Sequence, residues 1–174
     1  MADKSSGGVL FPCAGRASAE RRFSAQTVDI TPPTVDRQRL IDDVKSFVGT
    51  PYHHQGRDRN GLDCVGVIIA ALRRQGIDPP APADYGKNSP GDSLLRHIDR
   101  CGLFYKIPAD QRLPGDMLVF AIGRDPQHLG LLIERPEAGP EIMVHSADVI
   151  MKVQAATLGE AWIKRIAAVY RPNG

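Results

Sequence analysis

The sequence predicts an α+β fold, and three observations predict it. Apolar residues recur at helical spacing through the first half of the chain and at strand spacing through the second. The two kinds of element stay segregated, which separates helices packed on an antiparallel sheet from the alternation of a parallel α/β sheet. The 17 Gly and 14 Pro fall between these segments as turns rather than in low-complexity runs. At 174 residues the chain suits one domain with a proper core and is too short for two of ordinary size.

The elements follow in order. Residues 1–33 have no period, are rich in Ala, Ser, Gly and Arg, and end in TPP. They are expected to form a flexible or extended arm before a domain at 34–174. Thr34 is placed to cap a helix whose apolar positions are Leu40, Ile41, Val44, Phe47 and Val48, with Gly49 as its stop. After a glycine-rich loop, Asp63 is a good N-cap for CVGVIIAALRRQG, apolar nearly all round until Arg73 and ended by Gly76, Pro79 and Pro80. SPGDSLLRHIDRCG predicts a shorter helix with Leu94, Leu95 and Ile98 inward and Gly102 as its stop. A PGD turn at 114–116 then feeds MLVFAI, and HLGLLIE, EIMVHSA and VIMKVQA are the next strands. TLGEAW predicts one helical turn before a last strand, RIAAVYRP, for about five antiparallel strands in all.

Composition excludes several classes. The net charge of +2 comes without any run of Lys or Arg, so no nucleic-acid partner is expected. Cys13, Cys64 and Cys101 stand far apart with no C-x-x-C pair, which argues against a zinc knuckle or a disulfide framework. No stretch approaches the roughly 20 apolar residues of a membrane span, and the N-terminus lacks the apolar core of a secretory signal. The expectation is synthesis in the cytoplasm without a signal peptide.

The stretch GTPYHHQGRDRNGLDCVG, residues 49–66, carries the chemistry. Cys64 begins the buried helix, where unpaired N–H groups and the helix dipole favour a thiolate and predict a lowered thiol pKa. A small packed cysteine fits the same position. A nucleophilic thiol needs a base from elsewhere in the fold. If HLGLLIE and EIMVHSA form a hairpin about RPEAGP, the pairing centre falls near Pro136 and Glu137. His128 and His145 then become direct or near neighbours across two strands. One imidazole can accept the thiol proton while the other holds its ring and tautomer. Tyr52 can place a hydroxyl beside the cysteine to help stabilise an oxyanion, or stand as an ordinary half-buried tyrosine. His53 and His54 read as solvated or substrate-lining, and His97 as a surface residue.

Taken with LPGDMLVF, QHLGLLI and MVHSA, the stretch GTPYHHQGRDRNGLDCVGVI resembles the NlpC/p60 family of papain-like cysteine peptidases, which cut bacterial cell-wall peptides. The resemblance covers about residues 34 to 171 and implies a cysteine-bearing helix packed on an antiparallel sheet that carries the histidines. It implies Cys64 as nucleophile, His128 as general base, His145 as the polar residue orienting that base, and Tyr52 as oxyanion support. Asp63, Val65, His54 and Gln55 are implied as substrate-lining positions. The implied partner is the peptidoglycan stem peptide, cut between γ-D-glutamate and a diamino acid, with no cofactor or metal. The short Pro-rich insertion and the AW near the end resemble phage-type members encoded among tail genes of prophages and gene transfer agents, which implies action on the cell wall after carriage in a phage-like particle or release by lysis, with tail structural proteins as further partners.

Two departures bear on substrate choice: Val65 stands where many members have serine, and Gln55 with Gly56 where many have two glycines. Three other readings remain at this point: a tail-assembly protein whose pocket only binds, a thiol acyltransferase on the same framework, and a metal hydrolase built from His53, His54, Asp63 and the later histidines. The last lacks an H-E-x-x-H or similar ligand spacing.

Overall fold

The computed structural model describes residues 33–80 and 91–174. All but the last residue of the expected arm, the Pro-rich connection at 81–90, and Cys13 lie outside the described residues. Within them, helix α1 (Arg37–Lys45), a two-stranded ribbon of β1 (Arg57–Asp58) and β2 (Gly61–Leu62), and helices α2 (Cys64–Arg74) and α3 (Ser93–Cys101) come first. Strands β3 (Phe104–Ile107), β4 (Met117–Ile122), β5 (Asp125–Glu134), β6 (Ile142–Ala147) and β7 (Lys152–Thr157) follow. The one-turn helix α4 (Glu160–Ile163) then leads into β8 (Ile166–Pro172). The main sheet is antiparallel throughout, in the order β3-β8-β4-β5-β6-β7.

Helix α2 forms as the sequence predicts. The Asp63 carboxylate accepts from the Gly66 N–H at 2.7 Å, Val65 through Leu72 are all buried, and Arg73 and Arg74 sit in the last turn where they complement the helix dipole. Gly76, at φ +80°, ends it. Helix α1 starts later than expected, because Asp36 rather than Thr34 caps it by accepting from the Arg39 N–H at 2.9 Å. The Val35 N–H is held by the Asn173 carbonyl at 2.6 Å, so the chain stays extended until that point. Helix α1 also ends before Phe47; Phe47 is buried, but Val48 is 48% exposed and leaves the apolar stripe. Gly49 at φ +94° turns the chain as expected. Helix α3 buries Ile98, half-buries Leu94 and Leu95, and stops at Gly102 in the left-handed conformation. His97 is half-buried beside the apolar core rather than at the surface.

Among the described residues the main sheet has six strands where about five were expected. FYKI was not read as a strand, being four residues long, yet β3 pairs with β8 in the register Phe104↔Pro172. VIMKVQA becomes a strand only from Lys152, since residues 148–151 turn back, with Met151 at φ +54° and its N–H bonded to the Ala147 carbonyl. The helices pack on one sheet face through Met117, Val119, Leu129, Leu131 and Val144. The opposite face buries Leu118, Phe120, Leu132 and Met143 against Leu158 and Trp162.

The loop before α2 sits tight against the helix. A Cβ on Gly66 would stand 2.0 Å from the Gly56 carbonyl oxygen, a backbone atom that cannot swing aside. Gly66→Ala is expected to lower stability by about 1–3 kcal/mol, the range of overpacking, read as the midpoint of denaturant unfolding. Gly159→Ala, where a Cβ meets nothing within 4 Å, is the control and should stay within about 0.5 kcal/mol.

Candidate active site

Asp63 organises one wall of the site. Its carboxylate is 2% exposed, and besides capping α2 it accepts from the Gln55 N–H at 2.8 Å and from Arg57 Nη1 at 3.0 Å. The loop is thereby folded back on the helix start, and its Tyr52 N–H reaches the Met151 carbonyl at 2.9 Å. Cys64 is the first helical residue and is half-buried.

The other wall comes from the sheet. The register is Gly130↔His145, so His145 lies diagonal to His128 rather than directly opposite it. The pairing centre falls near Glu137 and Ala138, a residue beyond the expected position, and the β5–β6 register shifts between Leu132 and Glu134. Gly130 offers no side chain between the two rings, and they meet, with His128 Nε2 2.9 Å from His145 Nδ1. Their exposures are 8% and 4%. Trp162 of α4 walls both, with ring centroids 5.7 Å from His128 and 5.3 Å from His145, and stacks edge-on against Phe120 at 4.9 Å.

Cys64, His128, His145, Tyr52, His54 and Asp63 line one open cleft of about 590 Å³. Two expected substrate-lining positions do not join them. Val65 is 6% exposed and packs in the main core beside Ile68 and Ile69, because the residue after the helix start points into the sheet. Gln55 is exposed at φ +58°, outside the cleft lining, and reaches the site through its backbone N–H on Asp63. Gln154, Asp148 and Arg165, which sequence reasoning did not single out, also line the cleft, as does Trp162, which it read only as part of a helical turn and a subtype mark. Trp162, the chain's one tryptophan, carried a compositional signal; Gln154 carried only its strand alternation.

The electrostatics depart from expectation at the thiol. Burial pushes Cys64 up to about 12, and the Asp63 carboxylate adds to the rise; backbone N–H groups of Leu129, Val65 and Cys64 itself oppose it without prevailing. The helix start therefore does not yield a resting thiolate. The N–H contact from Leu129 also sets the sulfur against the strand residue that follows His128. Burial, with the neighbouring His145, lowers His128 to about 3, and burial lowers His145 as well. Tyr52 is raised by burial and by Asp148, Asp63 and Cys64, so its hydroxyl keeps its proton and remains a donor. Among the described residues, no group of three or more His, Cys, Asp or Glu converges as a metal site.

The imidazoles link folding to pH. In the unfolded chain they protonate near 6.5, whereas in the folded protein His128 does so only near 3. Below pH 6.5 the unfolded state thus binds protons that the native state refuses. Stability is complete above that value and falls with pH by about 1.4 kcal/mol per unit for His128, with His145 adding to the loss in the same direction. Denaturant unfolding between neutral pH and about pH 5 should show this loss, and replacing both histidines by Gln should flatten it. Trp162→Ala should let water reach the rings and raise the His128 pKa toward its ordinary value, read by NMR titration of the imidazole protons.

Comparison with known proteins adds an independent line. The NlpC/P60 family matches residues 49–171. A curated protein of Escherichia coli strain K12, "Probable endopeptidase NlpC", is 30% identical over 94 residues, 53% of either chain, so this chain spans about half of that relative's length. Solved structures share the fold. An NlpC/P60 protein of Bacillus cereus matches with TM-score 0.59 and 21% identity, over 82% of this chain and 42% of its own. A lipoprotein-like NLP/P60 protein of Staphylococcus aureus matches at 0.57 and 19%, over 84% and 45%. The NlpC/p60 domain of the peptidoglycan hydrolase SagA matches at 0.51 and 18%, over 79% and 98%. With an α+β fold of helices on an antiparallel sheet and the family match spanning its loop, helix and strands, the chain belongs to the NlpC/P60 family.

Proposed function

We propose that this chain is a cysteine endopeptidase that hydrolyses amide bonds in peptidoglycan stem peptides, with the bond between γ-D-glutamate and the following diamino acid as its target. One observation carries the reading: a cysteine at a capped helix start shares a cleft with two histidines already bonded to each other. The names of the relatives, an endopeptidase and a peptidoglycan hydrolase, support the substrate class.

His145 occupies Nε2 of His128, which leaves Nδ1 for the thiol. As Cys64 Sγ bonds to the substrate carbonyl carbon, its proton passes to His128 Nδ1. The Tyr52 hydroxyl and the Cys64 N–H meet the developing oxyanion. The imidazolium gives its proton to the amine nitrogen as the C–N bond breaks, leaving a thioester. Water then adds to the thioester carbon and yields a proton to His128; the C–S bond breaks and the sulfur takes that proton back. With the thiol raised and His128 lowered, both groups start neutral and the proton crosses during attack, in the manner of serine enzymes.

The raised thiol favours a second reading, a wall-peptide-binding protein on the same fold that cuts nothing. Mass spectrometry of purified wall fragments separates the two. Under the peptidase reading, Cys64→Ala abolishes new fragments and Tyr52→Phe slows their appearance by about 10²–10³, the loss of one oxyanion donor. Undiminished digestion by Cys64→Ala would sink it.

A further inference from the structure

A neutral imidazole carries one N–H. If Nδ1 of His128 is to take the thiol proton, its hydrogen must sit on Nε2, which lies 2.9 Å from Nδ1 of His145. That hydrogen requires an acceptor, so Nδ1 of His145 must be bare and the His145 hydrogen must sit on Nε2. This second nitrogen faces Gln154, which stands directly across the β6–β7 ladder in the register His145↔Gln154. The Gln154 side-chain nitrogen is 3.4 Å from it, longer than a good N–H hydrogen bond.

A carboxamide offers NH₂ or C=O in nearly the same place, depending on a half-turn about its last bond. With NH₂ toward the ring, His145 is driven to carry its hydrogen on Nδ1. His128 Nε2 then becomes the acceptor, and the His128 hydrogen moves to Nδ1, where it blocks proton uptake from Cys64. With C=O toward the ring, every hydrogen in the row has an acceptor and Nδ1 of His128 stays bare.

We propose that Gln154 is a positioning residue: its side-chain carbonyl accepts from Nε2–H of His145 and, through His145, keeps Nδ1 of His128 free to take the thiol proton. This rests on Cys64 and His128 acting as nucleophile and base. His145 is 4% exposed and Gln154 half-buried on the cleft wall, so the partner of this hydrogen is a protein group built in by the strand register. No proton moves beyond His128 during the reaction; the outer members hold their hydrogens and fix direction.

Long-range ¹H–¹⁵N NMR of the imidazoles at about pH 8.5, where histidines are neutral, reads the tautomers without any substrate. The wild type should show Nε2–H on both His128 and His145. Gln154→Glu, which can only accept, should keep that pattern and most of kcat. Gln154→Met should mix the His145 tautomers and lower kcat on the order of 10–100-fold, as for other outer partners of a functional histidine, at unchanged KM. An Nδ1–H on His145 in the wild type, or unaltered tautomers in Gln154→Met, overturns the assignment. The expected tautomers in a wild type that cuts no wall peptide would support the proton placement and overturn the peptidase reading instead.

Discussion

One buried carboxylate holds the site's cysteine wall in place. Asp63 caps α2, pins the loop through the Gln55 N–H, and pairs with Arg57. Each contact alone is modest, since a cap or a hydrogen bond to a charged group contributes about 1–3 kcal/mol. Their convergence on one side chain is what matters, because removing it frees the helix start, the loop and a guanidinium together. The same charge lies beside Cys64 and holds its thiol protonated. The architecture thus works against a resting thiolate, and under the proposed peptidase reading nucleophile strength has to come from a base close at hand.

The histidine pair packs against aromatic side chains. Phe120 and Trp162 flank the histidine pair, and both imidazoles are nearly closed to solvent. Neutral thiol and neutral imidazole are a consistent pair under these conditions, since a charge on either would lack hydration. At the histidine pair, polarity therefore lies in hydrogen-bond direction, while Asp63, Asp148 and Arg165 supply the charged groups of the cleft.

Legibility in the sequence followed the range of the interaction. Helix α2, its Asp63 cap and the strands MLVFAI and HLGLLIE were readable because cap chemistry and apolar period act within a few residues. The meeting of His128 and His145 was readable from hairpin symmetry, but the diagonal offset was not, because a register shift between Leu132 and Glu134 alters the count. Cys64 was placed correctly at the helix start and its acidity was not: the helix-start effect is local, whereas burial of the thiol comes from the packing of the whole fold. Val65 shows the same limit, since its neighbour lines the cleft while it faces the core. Trp162 and Gln154 took their places from sheet order and register, which no local pattern encodes.

The sheet order β3-β8-β4 sets the schedule by which the protein can be made. Strand β8 lies between two strands that precede it in the sequence, so β3 has no partner in the main sheet until β8 leaves the ribosome. The helix start, the loop and the histidine hairpin can all assemble earlier, from α2 and β4 to β7. Closure instead awaits a pairing between residues up to 68 positions apart, such as Phe104 and Pro172, and such distant pairings slow folding. Until β8 is made, the growing chain therefore carries an open β4 edge, a surface that invites pairing with another chain.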